Sequence, residues 1–220
     1  MAVGDEMSKS KADFWSKASQ RYDKAVEGAL GGNIRPLINE KLRHEGHLGK
    51  VVEFGCGTGY FTKTLARQAE NVVATDFSED MVHIAQTRLE GLDNVEFKNE
   101  NWQETSFADE TFDAIFSGLV MPFVDDKVKV LKESYRILKP AGRVILADPN
   151  ILLLKGLRKF QSLCRIIVAW RGNPPSTGRF QSVSELLDET DFTLASLDVI
   201  QDPSHPSITP VEYIKLLKSR

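Results

Sequence analysis

The sequence predicts one α/β domain of alternating strands and helices, and three observations carry that expectation. The first is the stretch Val51-Val52-Glu53-Phe54-Gly55-Cys56-Gly57-Thr58-Gly59-Tyr60-Phe61, where β-branched residues run into an acid, three alternating glycines and the start of an amphipathic segment. That order reads as a buried strand, a tight turn and a helix start. The second is that short apolar runs and segments of helical period keep alternating as far as about residue 148. The third is length: 220 residues suit one core with additions and leave little for a second.

Composition removes several classes of function. A hydrophobic share of 41% and a charged share of 27% are those of an ordinary globule, and a net charge of −3 gives no general basic field for nucleic acid. No apolar run approaches the ~20 residues of a membrane span, and Met1 to Lys11 lack the apolar centre of a signal peptide. Cys56 and Cys164 form no C-x-x-C, and His44, His47, His83 and His205 share no ligand spacing. No metal or disulfide framework is expected, and a cytoplasmic location fits.

Taken in order, residues 1–46 read as a helical cover. Phe14, Trp15, Ala18, Tyr22 and Ala25/Val26 recur at helical spacing between Ser10 and Ala29, with room for a break. Gly31-Gly32 interrupts, and Asn33 to Glu45 forms a second helix with Pro36 in its first turn. Residues 47–148 read as the core that binds a cofactor. After the glycine turn, Phe61, Leu65, Ala66 and Ala69 predict a helix stripe. Val72-Val73-Ala74-Thr75-Asp76 is a strand that ends in an acid able to take both hydroxyls of a ribose. Ser78 caps the next helix, and Phe77 and Met81 are placed to flank a base or to serve as plain core.

Asn94 to Lys98 is the third strand, and Asn101-Trp102 follow it. Phe112 to Ser117 is the fourth, and Ser117-Gly118 at its carboxyl end points to the crevice where open parallel sheets bind ligands. Val124, Val128, Leu131, Tyr135 and Leu138 make a helical stripe, Lys139-Pro140-Ala141-Gly142 turns, and Arg143 to Asp148 is the fifth strand. Residues 149–181 are a helical insert rich in large apolar residues, with six Lys/Arg and no acid from Pro149 to Ser184. Two readings stay open for its helix: a lid packed on the sheet edge with a solvated basic face, or a surface turned to lipid or an amphipathic substrate through 151–172. Asn173-Pro174-Pro175-Ser176 reads as a loop. In 182–220, Ser182-Val183-Ser184-Glu185 predicts a capping box opening a helix, Thr193 to Ile200 a strand, and Val211 to Leu217 a final antiparallel edge strand.

A dinucleotide turn wants G-x-G-x-x-G, but Tyr60 fills the third glycine slot. The pattern here is E-x-G-x-G-x-G, which resembles motif I of the class I S-adenosylmethionine methyltransferases. The segments Phe14-Trp15-Ser16-Lys17-Ala18-Ser19-Gln20-Arg21-Tyr22-Asp23, Asp109 to Ser117 and Leu138-Lys139-Pro140-Ala141-Gly142 resemble the same family, nearest to its quinone-biosynthesis members. The resemblance implies a doubly wound, Rossmann-like, seven-stranded sheet of order 3-2-1-4-5-7-6 with strand 7 antiparallel.

It further implies S-adenosylmethionine as cofactor, with S-adenosylhomocysteine as product, held by Tyr22, Glu53, Phe54, Gly55, Cys56, Gly57, Gly59, Asp76, Phe77, Met81, Asn101, Trp102, Ser117 and Gly118. Asn101 stands where the family usually has an aspartate for the adenine amino group; an amide oxygen accepts the same bond without the charge. Tyr22 and Asp148 are candidate bases, and catalysis by proximity alone is an equal alternative. The expected partner is a small, partly hydrophobic acceptor, with the protein a monomer or homodimer. A binding protein without transfer activity, a protein or RNA methyltransferase and, less favoured, a nicotinamide-dependent oxidoreductase remain as alternatives.

Overall fold

The computed structural model describes residues 13–170 and 182–219. The polar lead at 1–10, the Asn173–Ser176 loop and the end of the insert lie outside the described residues.

Seven strands form one sheet: β1 (Gly49–Phe54), β2 (Ala69–Asp76), β3 (Val95–Asn99), β4 (Phe112–Gly118), β5 (Leu138–Pro149), β6 (Phe192–Ile200) and β7 (Val211–Lys218), in the order 3-2-1-4-5-7-6. The β3-β2-β1-β4-β5 ladder is parallel, whereas β7 runs antiparallel to both its neighbours, β5 and β6. The sheet order is the one expected. Val211 to Leu217 is not an edge strand, however, because β7 lies between β5 and β6. Its run Val211, Tyr213, Ile214 and Leu216 is buried on both faces, while β6 exposes Leu194, Leu197 and Val199 and forms the edge.

Alternating residues of each strand serve opposite layers. Val51, Phe116 and Tyr213 meet Ile34, Ile38 and Leu42 on one face; Val52, Ile115 and Val144 meet Val130, Leu131 and Ile137 on the other. The helices involved are α1 (Tyr22–Leu30), α2 (Ile34–Arg43) and, on the second face, α5 (Lys127–Ile137). Residues 13–18 are helical and a 3-10 turn at Ser19–Arg21 breaks them from α1, while Gly31 at φ 80° separates α1 from α2.

Two local expectations fail. Behind the glycine turn, α3 covers only Thr62–Leu65, because 3-10-type bonds from Arg67 and Gln68 end it and Ala69 already pairs with Gly49 in the sheet. After Ser182 comes a 3-10 helix, Val183–Glu189. The serine hydroxyl accepts from Ser184 N–H but donates to Glu212, so it is drawn away from a capping box. The remaining helices are α4 (Glu79–Arg88), capped by Ser78 as expected, and α6 (Gly156–Ala169) in the insert. Among the described residues no helix is long and apolar enough to cross a membrane.

Candidate active site

The carboxyl ends of β1, β2 and β4 open into a cleft of about 540 Å³. Its floor is the glycine turn. Gly55 (φ 73°) and Gly57 (φ 53°) take left-handed backbone that other residues resist. A Cβ on Gly57 would stand 3.3 Å from the Tyr22 ring, so the bare backbone lets α1 close over the turn. Gly59 also has positive φ, but its Cβ would strike Leu89 at 2.7 Å, and Gly118 sits against Phe61 in the same way. Those two glycines pack helix and strand; they do not line the cleft.

Asp76 ends β2 and points across the turn. Its Oδ2 accepts from Gly57 N–H at 2.9 Å and its Oδ1 from Ser78 N–H at 2.9 Å. Burial holds the carboxyl above its usual range, while those amides and that of Phe77 favour the charged form and limit the rise. Each oxygen keeps a lone pair, so the carboxylate is oriented and still able to accept from a diol.

Tyr22, Phe54, Phe77, Met81, Asn101 and Trp102 join Gly55, Gly57 and Asp76 in the lining. Trp102 stacks on Phe54 at 4.7 Å with the planes 7° apart and donates its Nε1–H to Ser134, so one ring face and the indole N–H are already engaged. Asn101 Oδ1 accepts from Gln103 N–H, which fixes the amide and leaves one lone pair. The other residues expected at the cofactor stand behind the lining. Glu53 is buried and accepts from the Thr62 hydroxyl at 2.6 Å, and burial pushes it up to about 8. Cys56 is buried with its thiol pushed up by the same cause. Ser117 ties β4 to the Phe54 carbonyl at 3.0 Å. These residues hold the strands that present the cleft.

The structure separates the two candidate bases. Burial, then the nearby Asp76, pushes the Tyr22 hydroxyl far above its ordinary value, which opposes a phenolate. Asp148 does not line the cleft. Its Oδ1 accepts from Val120 N–H at 2.7 Å and Met121 N–H at 3.0 Å, and it borders a small cavity with Lys127, Ser182 and Glu212. It holds the loop after β4, in which Leu119 adopts φ 67° and lines the cleft.

Sequence reasoning placed the N-terminal helices and Tyr22 over the cleft but missed the aromatic wall that Trp15 and Phe123 form there. Trp15 lies 5.1 Å from Phe123 and 5.9 Å from Tyr22 in edge-on contacts, and both Trp15 and Phe123 line the cleft. Only the aromatic run Phe14-Trp15 hinted at it. Lys129 and Glu104 pair at 3.6 Å on the cleft's rim. Behind the turn, Asp23 accepts from Arg35, Thr58 and Arg88. Burial works against its charge, but those three donors prevail and hold it below the usual carboxylate range. One carboxylate thus fastens α1, α4 and the glycine loop together.

The insert reaches this wall. Trp170, at the end of α6, packs on Trp15 at 5.7 Å and Tyr22 at 6.4 Å, and α6 lies against α1 where Ala169 faces Gly28. Among the described residues no group of His, Cys, Asp and Glu is arranged to hold a metal.

Comparison with known proteins agrees with this architecture. Residues 52–146 match the family described as methyltransferase domain. The chain is 35% identical over 99 residues to a demethylmenaquinone methyltransferase of Clavibacter sepedonicus, covering 45% of this chain and 40% of that protein. It is 28% identical over 163 residues to the enzyme of the same name from Lysinibacillus sphaericus, covering 70% and 69%. The chain thus spans only part of these curated relatives, 40% of the length of the first and 69% of the second. A SAM dependent methyltransferase from Aquifex aeolicus superposes with a TM-score of 0.64 at 18% identity, over 92% of this chain and 98% of that one, a likeness of fold.

Proposed function

We propose that this chain is an S-adenosylmethionine-dependent methyltransferase that acts on a small, partly hydrophobic acceptor. The observation that carries the reading is one cleft in which a bare glycine turn and an oriented Asp76 face an aromatic wall of Trp15, Tyr22 and Phe123. The residues present fit the group. Asp76 has the lone pairs for a ribose diol, Asn101 those for an amino group, and Gly57 lets the ligand approach backbone.

When bound, S-adenosylmethionine supplies a sulfonium-activated methyl; the chain aligns the acceptor and excludes water. Tyr22, kept protonated, closes the cleft over Gly57 and can donate a hydrogen bond. With Asp148 turned to its loop, proximity and orientation carry the transfer without a dedicated base. That favours an acceptor whose nucleophile is already electron-rich. The demethylmenaquinone methyltransferases among the relatives support a hydroxylated aromatic ring of the quinone-precursor type. The free state of both cysteines supports a reducing, cytoplasmic setting.

Calorimetry with S-adenosylmethionine, S-adenosylhomocysteine and NAD, followed by labelled-methyl transfer to hydroquinones of increasing tail length, tests this. The sulfonium cofactor should bind and a hydroquinone become labelled. Micromolar NAD binding with none of S-adenosylmethionine overturns the cofactor assignment, and cofactor binding with no labelled product makes the chain a binding protein.

A further inference from the structure

We propose that the outer face of α6, with the turn before it, docks onto a lipid bilayer whose surface carries anionic headgroups. The helices on the sheet spend their apolar residues on the core, whereas α6 turns its own outward. Leu157, Phe160, Leu163, Ile167 and Val168 are exposed, from 38% for Leu163 to 75% for Val168, and only Ser162 of the helix is buried. Positions 157, 160, 163 and 167 recur at three and four, with 168 beside them, and share one side of the helix. Leu152 and Leu153 extend the patch from the preceding turn. A single exposed leucine is ordinary; a continuous apolar row on one helix face marks a contact surface.

Charge selects the occupant. Lys155 and Arg158 are exposed and Lys159 and Arg165 half-buried around this row, and none of the four makes an ion pair among the described residues. The run from Pro149 to Ser184 holds no acid, although the whole chain is net −3. A second copy would bring the same cations against each other, which disfavours self-association. Apolar side chains in the middle with long cationic ones beside them match a helix lying in a headgroup region. At 14 residues, about 21 Å, α6 is too short to span a ~30 Å hydrocarbon core. Its far end also touches the cleft wall, through Trp170 on Trp15 and Tyr22. A docked α6 therefore sets the cleft beside the membrane. The docking itself does not depend on methyl transfer.

The test is co-sedimentation of the full chain with vesicles of phosphatidylcholine alone or with phosphatidylglycerol added. The wild type should partition onto the anionic vesicles, more weakly at high salt. Phe160→Glu/Val168→Glu should lose at least about tenfold in partitioning, and Arg158→Glu about fivefold, each with unchanged calorimetric binding of S-adenosylmethionine as the folding control. If the wild type ignores anionic vesicles at low salt, or the double variant partitions like the wild type, the proposal is overturned. It also fails if light scattering finds a dimer that the double variant abolishes and no vesicle binding, since the face then belongs to a second copy. Should the double variant unfold, Leu157→Gln, at a position 69% exposed, gives the same readout.

Discussion

Asp76 and Asp148 look alike in the chain: each is an acid at the carboxyl end of a parallel strand, one on β2 and one on β5. Both are half-buried, both are pushed up by desolvation, and both accept two backbone amides. Their surroundings divide them. Asp76 receives one amide on each oxygen and faces the open cleft. Asp148 receives both amides on Oδ1, its Oδ2 is buried without a hydrogen-bond partner, and its cavity holds Lys127 and Glu212. A strand-end acid thus either stays open to a cleft or serves as a peg for a loop, according to what its oxygens meet.

Experiments can break this distinction. The largest effect is expected at Gly57→Val, which puts a β-branched residue at φ 53° and disturbs the amide that orients Asp76. Binding of S-adenosylmethionine should fall more than about 100-fold while circular dichroism shows a folded protein. Near-normal affinity in calorimetry would mean that no ligand approaches backbone there.

Asp76→Ala should weaken cofactor binding by about 1.5–3 kcal/mol, the usual worth of hydrogen bonds to a charged group. Unchanged affinity in a folded variant would make Asp76 a peg like Asp148.

Asp148→Asn sharpens the other side. The carboxyl is pushed up to about 7, chiefly by burial and further by Glu212, against the amides of Met121 and Val120 and the charge of Lys127. In an unfolded chain it titrates near ~4, so between these values the folded state holds the extra proton. Wild-type stability relative to the asparagine variant should therefore be greatest below about pH 4, fall by about 4 kcal/mol as pH rises to about 7, and then level off. Denaturant melts of both proteins at pH 4, 5.5, 7 and 8 measure it; a difference that stays flat would show that Asp148 is charged throughout.

The smallest effect concerns the stacked indole. Trp102→Phe keeps a ring on Phe54 but removes the bond to Ser134, which should lower stability by about 1 kcal/mol and leave cofactor affinity nearly unchanged. A large loss of affinity in calorimetry would give the indole a direct role.

The glycine turn and Asp76 were legible because spacing and backbone need limit which residues can stand there. Trp15 and Phe123 were not: an aromatic at helical spacing reads the same whether it enters a core or a cleft wall. A strand end says nothing of which way its carboxylate turns, so the sequence alone leaves Asp148 a candidate base. Composition showed an apolar and basic helix in the insert but not which way its apolar residues turn, and packing of α6 on α1 leaves Leu157, Phe160 and Val168 outside. The shortness of α3 escaped because its apolar stripe continued into the first residue of β2.

The chain has three tryptophans, and all of them border the cleft: Trp15 and Trp102 in its lining, Trp170 against Trp15. Indole emission shifts with the polarity and mobility around the ring. Trp102, clamped between Phe54 and Ser134 with one face to the cleft, should report a ligand against that face, while Trp15 and Trp170 respond when the aromatic wall closes. The molecule therefore carries its own optical gauge of occupancy, readable without a label, and single Trp→Phe variants would assign each part of the signal to its place.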